Sequence, residues 1–272
     1  GSPTGGTSDP CRGAVHLRDP SRNRDWSTAM NRPVSAGVND SKVGRVEPIG
    51  RLDDLLALPG VTEELEIRST VGVCALHGGG LERATEVGAR EVAEHTGSSY
   101  YAVIQPDGCR RHLPSTRFTT GTSDRLDAFL DRVKSVVSIH GYGRHDDFWA
   151  VLIGGANRTS AHHVAGHLRG ILPEEYRVVD DIESMPRALR GLHPDNPVNR
   201  GGGGVQVELP PSIRWNRDHR DWSDRDGTPR AAHLQVLIDG LVAALQDPDW
   251  PHSRGVDQGA RRSTDQSSPT RP

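Results

Sequence analysis

Four side chains of this 272-residue chain have the types and placement to share one reaction: His77, Glu82, His140 and Glu208. Each stands at or just beyond the end of a short apolar run: VGVCALHGGG for His77, with Glu82 five residues on, SVVSIHG for His140, and VQVELPP for Glu208. Two imidazoles and a carboxylate are a common protein ligand set of a catalytic zinc, which keeps a fourth position for water. Such an ion lowers the pKa of its water towards about 7 and polarises a carbonyl. A second carboxylate is then needed to take the water's proton and pass it to the leaving amine, the part expected of Glu208. Glu86 rivals Glu82 as ligand, since it lies one helical turn on and faces the same way. The same three donor types also make the facial triad of iron oxygenases.

The elements that must position these groups follow from the apolar pattern. Strands are expected over 64–68, 71–76, 99–104, 135–140, 149–155, 175–179 and 205–209, and helices over 50–58, 81–95, 123–133, 161–172 and 229–246. Strand and helix alternate, which predicts an α/β sheet and speaks against the all-β barrel in which iron triads normally sit. Ligands of open α/β sheets bind beyond the carboxyl ends of the strands, and His77-Gly78-Gly79-Gly80 gives the backbone freedom to turn there. The run Gly201 to Gly204 is no phosphate loop, because it lacks the Lys-Ser/Thr ending and precedes a strand. His163 and His167 share a helix face at i and i+4 and read, with His162, as a solvated face.

Composition bounds the rest. Residues 1–45 and 248–272 are rich in Gly, Ser, Pro and Arg without apolar periodicity and are expected to be disordered tails around one domain over 46–247. A formal net charge of −3 implies no bulk attraction to nucleic acid or to a membrane, so an anionic partner has to be held by local arginines. Arg110, Arg111 and Arg117 are candidates for lining such a cleft. Three cysteines, Cys11, Cys74 and Cys109, show no metal-type pairing, and Cys74 reads as a buried thiol. No signal-like segment is visible, which leaves a cytoplasmic or released location open.

Taken in order, HGGGLERATEVGAREVA, STRF, VVSIHGYG, VLIGG and NPVNRGGGGVQVELPPSIR resemble the poly-γ-glutamate hydrolase family of phages and bacteria, members of which are sometimes labelled phage-related replication proteins. The resemblance covers roughly residues 52–245. It implies a single mixed β-sheet flanked by helices, similar to zinc carboxypeptidases and cell-wall amidases. It implies zinc on His77, Glu82 and His140, proton transfer by Glu208, and Arg200 and Arg214 facing the α-carboxylates of an anionic poly-γ-glutamate substrate. The chain is expected to be a monomer. Thr119-Thr120-Gly121 stands where members usually carry an acidic-proline run, a departure at the rim of the cleft. A zinc peptidoglycan amidase or carboxypeptidase, and a non-catalytic binding protein, are the competing readings of the same residues.

Overall fold

A strand buried on both faces needs a layer of side chains above and below it, and the middle strands of this chain obtain both from helices. The computed structural model describes residues 49–144 and 146–251; His145 and the two terminal stretches, with Cys11, lie outside the described residues. Seven strands form one sheet: β1 (Thr62–Glu66), β2 (Val71–Gly79), β3 (Ser99–Gln105), β4 (Ser135–Gly141), β5 (Ala150–Gly154), β6 (Arg177–Val179) and β7 (Val205–Leu209). Their spatial order is β1-β3-β2-β4-β7-β5-β6. The central four, β3, β2, β4 and β7, run parallel; β1 pairs antiparallel at one edge, and β5 pairs antiparallel with β7. The expected mixed α/β sheet is therefore present, with β2, β4 and β7 ending side by side.

Side-chain alternation divides the core into two layers. Val73 and Ala75 of β2, Val137 and Ile139 of β4 and Val205, Val207 and Leu209 of β7 face one layer. There they meet helices α2 (Thr85–Thr96), α4 (Arg158–Ile171) and, after the short α5 (Pro211–Arg214), α6 (Ala232–Gln246), through side chains such as Val92, Leu168 and Leu241. Cys74, Leu76 and Val136 face the other layer, against Leu55 of α1 (Leu52–Leu56), Leu126 and Phe129 of α3 (Asp124–Arg132), and Phe118.

Capping chemistry moves some boundaries from their expected places. Ser123 accepts the N–H groups of Arg125 and Leu126 and opens α3, as the sequence predicts. Asn157 accepts the Ser160 N–H and starts α4 three residues earlier than apolar periodicity suggests. The second helix begins late, at Thr85, because Ala84 takes a left-handed conformation with φ of 67° that no helix continues through. Glu82, expected just inside that helix, consequently stands in the turn before it. At the far end, Trp250 falls in the stretch expected to be a tail but is 3% exposed and packs into the helix-covered layer. Trp250→Ala is expected to destabilise the fold by about 3 kcal/mol, the usual cost of emptying a buried aromatic position, read as a lowered midpoint in urea denaturation.

Candidate active site

The end of β2 is not a regular strand. Ala75 pairs with Ala102 and Gly78 with Ile104, so β2 advances three residues while β3 advances two. This bulge breaks the alternation at Leu76 and His77. In strict alternation His77 would follow Val73 and Ala75 into the layer of α2, α4 and α6. The structure instead puts it beside Leu113 and Phe118 of the opposite layer, its Nε2 2.8 Å from the Leu113 carbonyl and its ring 5.9 Å from Phe118. His140, at the end of β4, lies on that same side, and the two imidazole centroids are 5.1 Å apart. Gly79 is required here, since a Cβ on it would lie 2.2 Å from the Gln105 carbonyl oxygen.

Glu82 is brought back to these rings by a tight turn in which its N–H donates to the His77 carbonyl. One carboxylate oxygen lies 2.8 Å from His77 Nδ1; the other lies 3.3 Å from His140 Nδ1 and accepts the Gly141 N–H at 2.9 Å. Burial pushes the Glu82 carboxyl up, but the two imidazoles outweigh it and hold its pKa well below the usual carboxylate range. Glu86, the rival ligand, accepts the Gly79 N–H instead, and burial raises its pKa. Spacing alone left the two glutamates open; the geometry brings Glu82 to both histidines.

Glu208 reaches the same corner from β7, where it is the register partner of His140. Its Oε1 accepts from Gln206 Nε2 at 2.8 Å, and Gln206 Oε1 in turn accepts from Asn196 Nδ2 at 3.0 Å. All three are buried. Burial raises the Glu208 carboxyl to about 7, with His140 pulling it down and the Glu82 charge adding to the rise. Gln206 and Asn196 are positioning groups that the sequence reading passed over. The alternation of VQVEL, which puts Gln206 on the same strand face as Glu208, was the available signal. His112 was also missed: an imidazole 5.1 Å from His77, within the polar stretch CRRHLPSTRF, its pKa lowered by loss of solvent around the ring and by His77.

The two arginines expected to meet a substrate have different surroundings. Arg214 is 4% exposed, and its Nη1 and Nη2 donate to the carbonyls of Arg83 and Tyr142, both at 3.0 Å. Its guanidinium lies over Trp222 and fills the space that a Cβ on Gly141 would take. Burial lowers its pKa to about 10 against the charges of Glu82, Glu208 and Glu86. It is thus a buried counter-charge behind the glutamates, not a group on an open surface. Arg200 lines a cavity of about 470 Å³ with Arg51, Arg117, Thr119, Thr122 and Asp195. Arg51 is paired with Asp53, whereas Arg117 and Arg200 have no carboxylate partner among the described residues. Phe118, between Arg117 and Thr119, is the residue whose ring meets His77, so the cavity and the histidines share one segment.

The donor set fits a metal ion. His77 gives its Nε2–H to the Leu113 carbonyl, and its Nδ1, an acceptor whenever the ring carries a single proton, lies 2.8 Å from a Glu82 carboxylate oxygen. Two acceptors at that distance need a proton or a cation between them. One ligand atom from each of His77, Glu82 and His140 lies within 4.8 Å of the others, and a carbonyl behind a ligating imidazole is the usual way its tautomer is fixed.

Comparison with known proteins bears on this arrangement. Residues 58–228 match the model of a family described as poly-gamma-glutamate hydrolase. The chain belongs to the poly-gamma-glutamate hydrolase family. The matched span holds all four groups of the buried corner as well as Arg200 and Arg214. Within this family reading, the chain is 27% identical to UPF0714 protein YndL of Bacillus subtilis (strain 168) over 145 residues, 53% of this chain and 54% of YndL. It is 26% identical to the SPbeta prophage-derived UPF0714 protein YoqZ of the same strain over 197 residues, 70% of this chain and 65% of YoqZ. The chain therefore spans about half to two thirds of the length of these curated relatives. The fold is that of a bacteriophage poly-gamma-glutamate hydrolase, with a TM-score of 0.58 at 23% identity over 70% of this chain and 91% of that one. It is also that of YndL in a structure described as apo and zinc-free, with a TM-score of 0.53 at 20% identity over 69% and 90%.

Burial pushes His140 down and the facing Glu82 charge outweighs it, so its pKa stands above the ordinary 6.5. A metal ion must displace that proton. Zinc uptake near neutral pH is expected to release protons, seen as a binding heat that changes with the ionisation enthalpy of the buffer, and affinity is expected to rise as pH increases through the histidine range. Glu82→Gln is expected to abolish uptake at this corner and Glu86→Gln to retain it.

Proposed function

We propose that this chain is a zinc-dependent hydrolase that cleaves γ-glutamyl amide bonds of an anionic poly-γ-glutamate. The observation that carries the reading is the buried meeting of His77, Glu82 and His140 with Glu208 from the neighbouring strand, in a member of the poly-gamma-glutamate hydrolase family. The names of the structural relatives, a phage poly-gamma-glutamate hydrolase and a zinc-free YndL, support both the substrate class and the metal.

In this proposal His77, Glu82 and His140 hold the zinc. When bound, the ion acidifies the attacking water and polarises the scissile carbonyl. Glu208 is held by Gln206 at Oε1, which leaves Oε2 to take the water's proton and deliver it to the departing amine. A carboxyl raised to about 7 by burial suits a group that must be both base and acid near neutrality. Arg214 stabilises the cluster of buried carboxylates without touching substrate. Arg117 and Arg200, which have no carboxylate partner among the described residues and line the cavity beside Phe118, receive the α-carboxylates of the polymer, since a guanidinium binds a carboxylate through two parallel hydrogen bonds.

Glu208→Gln is expected to retain zinc at the His77 corner while kcat falls by roughly 10²–10⁴, measured as the shortening of poly-γ-glutamate on gels with and without chelator. Unchanged turnover would remove Glu208 from the reaction, and an uncut polymer alongside cut cell-wall fragments would replace the substrate. Arg117→Ala and Arg200→Ala are expected to raise KM several-fold for the polymer and to weaken the salt dependence of KM, with kcat nearly unchanged.

A further inference from the structure

A second group of metal-ligating side chains stands away from the histidine corner, on the outer side of the helical layer. His163 and His167 lie one turn apart on α4, their ring centroids 4.8 Å from each other, and Asp247 follows directly on the end of α6. One donor atom from each lies within 4.8 Å of the other two, and all three residues are half-buried. The sequence pattern reads these imidazoles as a solvated face; the structure closes that face with a carboxylate from a distant part of the chain. We propose that His163, His167 and Asp247 form a second binding site for a divalent transition-metal ion of the zinc class.

Two of the three candidate ligands, Asp247 and His163, are already oriented by a group outside the trio. Asp247 Oδ1 accepts the Asp249 N–H at 2.8 Å, which turns Oδ2 to His167 Nε2 at 2.9 Å. His163 Nε2 lies 3.0 Å from the Ala244 carbonyl. That carbonyl orients the ring when Nδ1 ligates, or adds an oxygen ligand when Nε2 does. Trp250, buried and edge-on with its centroid 5.6 Å from His163, walls one flank. An ordinary ion pair accounts for His167 and Asp247. It does not account for a second imidazole in the same corner, with a backbone carbonyl behind it in the manner of ligating histidines.

Two imidazoles and a carboxylate suit zinc, cobalt or nickel and not calcium or magnesium, which take oxygen ligands. Bound there, the ion bridges α4 to the turn that seats Trp250 and stabilises the folded state by mass action, without entering the reaction. The proposal does not rest on the activity assigned to the first corner.

The test uses the full chain stripped of metal and then dialysed against micromolar zinc, with bound zinc counted by mass spectrometry. Wild type is expected to hold two ions per chain, His77→Gln/Glu82→Gln one, and His163→Gln/His167→Gln one. The His77→Gln/Glu82→Gln protein is expected to gain thermal stability with zinc and to lose that gain when Asp247→Asn is added. Asp247→Asn alone, compared with wild type without metal, checks that the fold is kept. Polymer cleavage by His163→Gln/His167→Gln should match that of wild type. A His77→Gln/Glu82→Gln protein that is folded yet holds no zinc and shows no thermal shift would overturn the proposal.

Discussion

A negative charge held in a nearly closed place is the constraint on which the rest of this structure depends. The Glu82 carboxylate has an imidazole at 2.8 Å on one oxygen, and an imidazole at 3.3 Å with the Gly141 N–H on the other. Burying a carboxylate is costly unless its charge is matched and its lone pairs are used, and both conditions are met only while β2, β4 and the turn before α2 keep their relative positions. The turn is secured on each side. The Thr85 hydroxyl donates to the Glu82 carbonyl, Arg83 pairs with Asp107, and the Arg83 carbonyl accepts from Arg214. Ala84 holds a left-handed backbone conformation that an isolated alanine avoids, so those contacts offset a local strain of about 1–2 kcal/mol.

Arg214 is the complement of that arrangement. Three glutamates around one corner, Glu208 buried and Glu82 and Glu86 half-buried, would repel one another, and a guanidinium among them lowers the cost of keeping Glu82 ionised. It fits only because Gly141 has no side chain and because the backbone supplies two carbonyls for its donors. Positioning in this protein thus comes from strand ends, one strained turn and one buried cation, with the helices supplying the apolar support beneath.

Much of this was legible in the residues. Short apolar runs ending in His-Gly or Glu-Leu-Pro marked β2, β4 and β7 and the groups at their ends, because burial on both faces leaves a strong local signal. What was not legible depended on contacts distant in sequence. Helical spacing could not separate Glu82 from Glu86, since the answer turns on where α2 begins, and that is set by one backbone angle at Ala84. Arg200 and Arg214 look alike in sequence, yet one lines an open cavity and the other is enclosed. Trp250 sits in a Pro- and Asp-rich stretch whose composition resembles a tail, and only its burial in the helix-covered layer, beside His163, shows it to be core.

The bulge in β2 carries a consequence for how such a chain can diverge. A strand with one residue more than its partner behaves like a reading frame: losing that residue, or gaining another nearby, would carry the imidazole to the opposite layer with no change in amino-acid type. The few positions from Ala75 to Gly78 therefore tolerate a change of residue type more readily than a change of length, which the connecting loops can absorb.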